Sequence, residues 1–279
     1  MLMRISVIMT SYNYAKYISE AIESVINQTY TDWELVIVDD ASTDNSVEII
    51  QTYLEKDNRI KLYINNENLG LAKSIQKALK HTNSEWIAFL ESDDRFYPNA
   101  LEKKVDVIKK HNVDLIYSDV ELSEHSAPLD EHFDIVKTKY LNTSKNCFIE
   151  DFDKIIPKEN IIPTFSVVML KKSLLASCSF SSPCKALLDY YLWVQLYKAK
   201  VFYINKPLTF WRVHEDSYIN KIHYNEFQKL LFRTSIVFYT SSIINAINYF
   251  RRYFVTIKRC NGKIKFVFCN GGEKSGYSI

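Results

Sequence analysis

Three carboxylates lie within four residues at the end of an apolar segment, where they could bind a metal ion. Glu91, Asp93 and Asp94 directly follow Trp86–Leu90, which has the composition of a buried strand. Carboxylates this close repel one another unless a cation lies between them, and their oxygens suit the hard ions Mg²⁺ and Mn²⁺. The alternative is an acidic turn at the start of a helix that begins at Pro98, because carboxylates also stabilise a helix N-terminus.

The scarcity of glycine favours the metal site. The chain has 5 glycines, and Gly70 is the only one before Gly262. Neither GxGxxG nor GxxxxGK[ST] can be written, so a glycine-rich phosphate cradle is excluded. A divalent ion could instead neutralise a bound diphosphate and stabilise the charge on a departing nucleoside diphosphate.

Strand and helix patterns alternate over the first 120 residues. The predicted strands are Ile5–Thr10, Glu34–Asp39, Ile60–Asn65, Trp86–Leu90 and Leu115–Ser118. The predicted helices are Ala15–Asn27, 42–53, Leu71–Leu79 and 98–110. Further along, Phe165–Leu170 and Val201–Ile204 are predicted strands and Tyr190–Lys198 a predicted helix. This order predicts a mostly parallel sheet with helices on both faces.

Polar residues follow four of these strands, at 10–13, 39–40, 65–68 and 91–94. Ligands of such sheets bind outside the carboxyl ends of the strands. We therefore expect the four ends to converge on one crevice. Ordinary polar turns are the alternative at any single end, because Asp and Asn favour turns.

The charge distribution is uneven. From Tyr197 onward there are 14 Lys and Arg against 4 Asp and Glu, whereas the preceding residues hold 21 against 29. An acidic front argues against nucleic acid as the substrate, and a basic rear is compatible with an anionic membrane surface.

Several absences favour a cytoplasmic protein. The five cysteines form no CxxC pair, no run of 18 apolar residues is present, and we expect no signal peptide. Residues 226–259 mix aromatic side chains with Arg and Lys, so we expect peripheral contact with the inner face of the cytoplasmic membrane. The alternative is that these aromatics pack as core or at a subunit interface.

Six segments resemble, in order, the family 2 glycosyltransferases with the GT-A fold. They are ISVIMTSYNYAKYISEAIESVINQTY, WELVIVDDASTDNS, NENLGLAKSIQKAL, WIAFLESDDRFYPNAL, LLDYYLWVQL and FWRVHEDS. The resemblance implies a GT-A-type α/β fold with a Rossmann-like, mostly parallel sheet. It also implies hexosyl or N-acetylhexosaminyl transfer from a nucleotide-sugar, with a UDP-sugar as first choice. The implied acceptor is a glycan or lipid-linked glycan in surface-polysaccharide biosynthesis, such as that of lipopolysaccharide or capsule.

The resemblance also implies roles for individual residues. The donor-binding residues would be Thr10, Tyr12, Asp39, Asp40, Asn68, Gly70, Ser92, Asp94 and Arg212. The ligands of Mn²⁺ or Mg²⁺ would be Asp93, Glu91 and His214. Asp189 would be the general base of an inverting reaction, with a helix N-cap as its alternative role. Two positions depart from the family: Glu91 stands where Asp is usual, and Leu188 where Glu is frequent.

We expect three parts along the chain. Residues 1–120 would be the nucleotide-sugar-binding half, 121–225 the acceptor-binding and catalytic-base half of the same domain, and 226–279 a helical extension. The QxxRW element of processive synthases is absent, which favours one sugar per visit. The rival functions are a sugar nucleotidyltransferase, which usually needs a glycine-rich N-terminal loop, and a non-catalytic nucleotide-sugar-binding module, which the Glu at position 91 favours.

Overall fold

The computed structural model describes residues 3–122, 145–157, 160–182, 187–212 and 214, together with the strand backbone at 254–260, 263–270 and 273–278. Strands and helices alternate over the first 110 residues, as predicted. The strands are β1 (Ile5–Ser11), β2 (Trp33–Asp39), β3 (Ile60–Ile64) and β4 (Trp86–Phe89). The helices are α1 (Ile18–Ile26), α2 (Ser46–Leu54), α3 (Leu71–Lys80) and α4 (Ala100–Lys110). α1 and α2 begin later than predicted, because the residues before them form hydrogen-bonded loops at the site.

The following region adds shorter elements. The strands are β5 (Arg95–Phe96), β6 (Leu115–Leu122), β7 (Cys147–Phe148), β8 (Val168–Lys171) and β9 (Val201–Trp211). The helices are α5 (Phe152–Ile155), α6 (Lys172–Leu175) and α7 (Leu188–Gln195), and a 3-10 turn covers Phe165–Val167. The strands found at β8 and β9 and the helix at α7 confirm the three elements predicted in this region.

The described strands from β1 to β9 form one sheet in the order β3-β2-β1-β4-β8-β6-β9-β5, with β7 also on β9. β3, β2, β1 and β4 pair in parallel, as do β6 and β9. β8 lies between β4 and β6 and is antiparallel to both, with Ala88 opposite Met169. The start of β8 therefore lies at the same edge of the sheet as the carboxyl end of β4.

Alternate residues of the central strands face two separate layers of core. On β2, Leu35 and Ile37 pack with Ala21 and Ile22 of α1. Val36 and Val38 instead pack in the layer that contains α3 and α7. Both faces of the sheet are thus covered by helices, as the sequence pattern predicted, and this rigid sheet positions the strand ends.

The C-terminal region differs from the expected helical extension. Residues 226–253 lie outside the described residues. Beyond them, β10 (Phe254–Cys260), β11 (Lys263–Asn270) and β12 (Glu273–Ser278) form an antiparallel sheet. The helix prediction is wrong there because it missed the alternation in KIKFVF and the hairpin signals Asn261-Gly262 and Gly271-Gly272. Among the described residues, no helix is long and apolar enough to cross a membrane.

Candidate active site

The predicted polar strand ends meet at one edge of the sheet. β1 pairs with β2 so that Ser11 lies opposite Asp39, and β1 pairs with β4 on its other side. Beyond the strands, the N–H of Asp40 donates to the carbonyl of Ser11 and the N–H of Asn65 to that of Asp39, each at 2.8 Å. The ends of β1, β2, β3 and β4 therefore line the same edge, as predicted.

Asp40 anchors the segment that leads into α3. Its Oδ1 accepts hydrogen bonds from Asn65 Nδ2 at 2.7 Å and from the N–H of Leu69 at 2.9 Å, and its Oδ2 accepts one from the N–H of Gly70 at 2.7 Å. Gly70 has φ +83°, a left-handed conformation that favours glycine. The Asp40 carboxylate is buried, and its described hydrogen bonds are all to protein donors.

A second network joins the loops that follow β1 and β2. The buried carboxylate of Asp39 accepts from the N–H and the hydroxyl of Ser42, at 2.8 and 2.6 Å. Asn13, at φ +59°, accepts from the N–H of Thr43 at 2.8 Å. Of the residues predicted to contact the base, Tyr12 is 42% exposed beside this network, whereas Asp39 is occupied by Ser42.

The carboxylates after β4 are held by different partners. Asp94 is buried, and its Oδ2 accepts from Ser166 Oγ at 2.5 Å while its Oδ1 accepts from the N–H of Arg212 at 3.0 Å. Glu91 Oε2 accepts from Thr164 Oγ1 at 2.7 Å. Ser92 is also buried. Ser92 and Asp94, both predicted to bind the donor, are therefore enclosed by the protein.

Asp93 is the carboxylate of this segment that pairs with His214. Asp93 Oδ2 lies 3.2 Å from His214 Nε2, and the two side chains are 15% and 12% exposed. The Tyr14 hydroxyl donates to the Asp93 carboxylate; burial, and then the charges of Asp93 and Glu91, raise the pKa of Tyr14. The ring of Tyr17 lies 4.7 Å from the ring of His214. The arrangement presents one carboxylate and one imidazole together.

Arg212 connects the acidic segment to α1. Its Nε donates to the carbonyl of Asp93 at 3.0 Å, and its Nη2 lies 2.8 Å from Glu20 Oε2. The guanidinium also stacks over the ring of Tyr17 at 4.7 Å. Arg212 thus lies beside Asp93, and its described contacts are to protein groups.

Burial and mutual repulsion change the titration of this segment. Burial raises the pKa of Glu91, and the nearby charge of Asp93 raises it further. The same two causes raise the pKa of Asp94 well above its usual range. The structure therefore holds these carboxyl groups in an environment that disfavours several negative charges at once, which is where a bound cation would be most stabilising.

Asp189 lies close to this acidic segment. It is in the first turn of α7, where burial raises its pKa to about 7 while the N–H groups of Tyr190 and Asp189 itself oppose the change. Its charge contributes to the raised pKa of Glu91. Leu187 occupies the N-cap of α7, so Asp189 does not have the alternative N-cap role.

Comparison with known protein families identifies the family of this chain. The model of the family described as Glycosyl transferase family 2 matches residues 6–175, more than half of the chain. This chain belongs to that family. The chain is similar to an Escherichia coli protein named UDP-Glc:alpha-D-GlcNAc-diphosphoundecaprenol beta-1,3-glucosyltransferase WfgD, with 34% identity over 194 residues, 70% of each protein. A Bacillus subtilis relative, putative teichuronic acid biosynthesis glycosyltransferase TuaG, is 33% identical over 56% of this chain and 62% of its own length.

Solved structures confirm the GT-A fold of this glycosyltransferase. S. aureus TarS 1–349, determined in complex with UDP-GlcNAc, superposes with a TM-score of 0.67 at 22% identity, over 88% of this chain and 69% of TarS. The mannosyltransferase PcManGT from Pyrobaculum calidifontis, determined with GDP-Man and Mn²⁺, gives 0.56 at 18% identity, over 77% and 58%. At these identities the likeness concerns the fold.

The three predicted metal ligands come together only in part. Among the described residues, no three His, Cys, Asp or Glu side chains come together closely enough to hold a metal ion. Asp93 and His214 fit such an ion as a pair, because a divalent cation in these sites often takes one or two protein ligands and completes its shell with phosphate and water. Glu91, the third predicted ligand, is hydrogen bonded to Thr164 instead.

Sequence reasoning missed five residues of the site: Tyr14, Tyr17, Glu20, Thr164 and Ser166. The first three are spaced by three residues around the start of α1, a helical spacing that could have indicated one shared face. Thr164 and Ser166 carried no local signal, because their partners lie more than 70 residues away in the chain.

Proposed function

We propose that this glycosyltransferase is inverting and takes its sugar from a nucleotide-sugar, with a UDP-sugar as the first choice. The observation that supports this most is Asp189, which has a pKa of about 7 and lies near Glu91, in the same acidic segment as Asp93. A carboxyl that exchanges its proton near neutral pH suits a general base. Because the chain has no glycine-rich cradle, a diphosphate would need a cation to neutralise it, and the Asp93–His214 pair would bind that cation.

The proposed reaction is a single displacement. The acceptor oxygen bonds to the anomeric carbon on the face opposite the diphosphate, the bond from that carbon to the phosphate oxygen breaks, and the hydroxyl proton passes to the Asp189 carboxylate. The sugar is thereby transferred with inverted configuration, and the nucleoside diphosphate leaves. Family membership favours this reaction over nucleotidyl transfer, the rival function that the sequence left open.

Asp93 and His214 would hold Mn²⁺ or Mg²⁺ in this proposal. A bound ion would neutralise negative charge on the leaving diphosphate. Tyr14 orients Asp93 by donating to its carboxylate, and Tyr17 packs against the His214 ring. Glu91, joined to Thr164, has a supporting place beside the ligands.

The donor would lie along the strand ends. Tyr12 and Asn68 are exposed there and are proposed to contact the nucleotide. Thr10 lines a small pocket at the base of the crevice, together with Leu71 and Glu91. The buried Asp39 and Asp40 would act by shaping the loops around the nucleotide.

The acceptor is proposed to be a glycan on a lipid carrier, in the assembly of a surface polysaccharide. The names of WfgD and TuaG, which specify a diphosphoundecaprenol-linked GlcNAc and teichuronic acid, support that class of acceptor. The basic and aromatic composition of residues 226–259 supports peripheral contact with the cytoplasmic face of a membrane. Residues 226–253 of that segment lie outside the described residues.

The reaction is tested by incubating the protein with a panel of UDP-sugars, Mn²⁺ and α-GlcNAc-diphosphoundecaprenol. We expect release of UDP and a new glycosidic bond whose anomeric configuration, read by NMR, is opposite to that of the donor. A product with the donor's configuration would exclude the inverting mechanism, and transfer of a nucleotidyl group would exclude glycosyl transfer as the activity.

Membrane contact needs its own measurement, co-sedimentation with liposomes. Binding to vesicles that contain anionic lipid, weakened by added salt, is expected for the full chain and not for a chain that ends near His223. Failure of the full chain to sediment with anionic vesicles would show that the aromatics of 226–259 serve packing instead.

A further inference from the structure

A buried segment from the second half of the sheet holds the acidic segment in place. Thr164 and Ser166 lie immediately before β8, which starts at the carboxyl edge of β4 because the two strands are antiparallel. Thr164 is 4% exposed and Ser166 is fully buried. The two hydroxyls thus lie in a position to reach the residues that follow β4.

Each hydroxyl both donates and accepts a hydrogen bond. Ser166 Oγ donates to Asp94 Oδ2 at 2.5 Å and accepts from the N–H of Glu91 at 3.0 Å. Thr164 Oγ1 donates to Glu91 Oε2 at 2.7 Å and accepts from the N–H of Ser166 at 3.3 Å. Both carboxylates that flank Asp93 in the sequence are therefore bound by these two residues.

We propose that Thr164 and Ser166 are positioning residues for nucleoside diphosphate binding, an inference that rests on the proposed function. They hold the Glu91 and Asp94 carboxylates against the protein, so that Asp93 is the carboxylate presented beside His214. Without these hydroxyls, Glu91 Oε2 and Asp94 Oδ2 lose their described hydrogen-bond donors, and both carboxylates gain rotational freedom. The acidic segment then loses the single arrangement that would present Asp93 to a metal ion and a diphosphate.

A neighbouring hydroxyl separates this role from general support of the fold. Thr209 Oγ1 donates to the backbone carbonyl of Ser166 at 2.9 Å and is fully buried. It contacts the same segment and contributes one buried hydrogen bond, but its described bond is to neither carboxylate. Thr209→Val therefore also removes one buried hydrogen bond from this segment, but it leaves the hydrogen-bond partners of both carboxylates in place.

The decisive variants are Thr164→Val, which keeps the shape of the side chain and removes the hydroxyl, and Thr164→Ser, which keeps the hydroxyl. Binding of UDP is measured by isothermal titration with and without MnCl₂, together with the thermal midpoint of each protein. We expect Thr164→Val to weaken the Mn²⁺-dependent binding by about 10–100-fold, the usual effect of losing a partner that orients a metal ligand. Thr164→Ser should bind within about threefold of the wild type, and Ser166→Ala should resemble Thr164→Val.

The outcomes separate the two proposals. If the wild type does not bind UDP with Mn²⁺, the proposed function and the positioning role both fail. If the wild type binds and Thr164→Val binds equally well, the positioning role alone is overturned. It is also overturned if Thr209→Val weakens binding as much as Thr164→Val at the same thermal midpoint, because the effect would then follow loss of fold. If Ser166→Ala does not fold, the comparison of the two Thr164 variants with Thr209→Val decides.

Discussion

The ends of β2 and β4 carry similar residues and use them differently. At the end of β2, Asp39 and Asp40 accept hydrogen bonds from nearby backbone and side-chain donors, and each is satisfied. At the end of β4, Asp93 and Asp94 lie together with Glu91, and burial plus mutual repulsion raises the pKa of Asp94. The first pair stabilises loops, whereas the second group stores unfavourable charge that a cation can relieve.

This difference shows that the position of a carboxylate at a strand end does not define its role. The role depends on the hydrogen-bond donors that surround the carboxylate. Asp40 receives three protein hydrogen bonds and is part of the scaffold, while Asp93 receives fewer and remains partly exposed beside His214. Buried polar groups that are fully paired support the fold, whereas a partly exposed acidic group among buried carboxylates is a candidate for a ligand site.

The largest expected effect concerns Asp189, the proposed general base near the carboxylates that follow β4. Asp189→Asn should lower turnover by about 10²–10⁴-fold, the range for loss of a general base, with UDP affinity nearly unchanged. Steady-state turnover and isothermal titration measure the two quantities. Asp153→Asn, at an exposed acid on α5, is the control and should keep full turnover. Turnover of Asp189→Asn within a few-fold of the wild type would contradict the assignment.

At the end of β2, the effect should appear in stability. Asp40→Ala removes the acceptor of three hydrogen bonds, from the buried Asn65 side chain and the partly buried N–H groups of Leu69 and Gly70, and we expect the free energy of unfolding to fall by about 2–4 kcal/mol. Urea denaturation measures it. Glu67→Ala, in the same segment but exposed, should change stability little. An unchanged midpoint for Asp40→Ala would erase the distinction between the two strand ends.

At the end of β4, the corresponding change should affect binding before stability. Asp93→Ala should weaken Mn²⁺-dependent binding of UDP by about 10–100-fold, or about 1.4–2.7 kcal/mol, because it removes half of the described ligand pair. Stability without ligand should not fall, because like-charge repulsion decreases. Asp94→Ala should instead destabilise the fold, since Asp94 joins Ser166 to Arg212. Equal loss of stability in both variants would contradict this division.

The last expected effect is a pH dependence of stability at the same edge. The pKa of Asp189 is about 7 in the folded protein and about 3.9 in an unfolded chain, so the folded state binds more protons between these values. Stability should therefore fall as pH rises from about 4 to 7, by up to about 4 kcal/mol, because one pKa unit corresponds to about 1.4 kcal/mol. Thermal midpoints of Asp189→Asn should show less of this fall. The reaction itself needs the deprotonated base, so kcat/KM should fall as pH drops below about 7.

Much of the frame could be predicted because it depends on local patterns. The alternation of strands and helices to Lys110, the crevice at the strand ends and the acidic segment all follow from residues close together in the chain. The division among Glu91, Asp93 and Asp94 could not be predicted. It depends on partners that lie far off in the sequence, 72 residues for Asp94 and Ser166 and 118 for Asp94 and Arg212. Neither hydrophobic periodicity nor composition indicates which of these distant residues will form hydrogen bonds with each other.

The insertion of β8 between β4 and β6 has a consequence for how the chain is made. Synthesis proceeds from the N-terminus at about 5–20 residues per second, so β4 waits several seconds while about 80 further residues are added before its neighbour β8 is complete. During that time the edge of β4 offers unpaired backbone groups to other nascent chains. A nascent chain of about 120 residues would contain every parallel strand of the β3-β2-β1-β4 group and still lack β8, the strand that pairs with the free edge of β4. Chaperone protection is therefore most needed over that interval of translation, and ribosome-bound fragments ending before and after Lys171 should differ sharply in their tendency to aggregate.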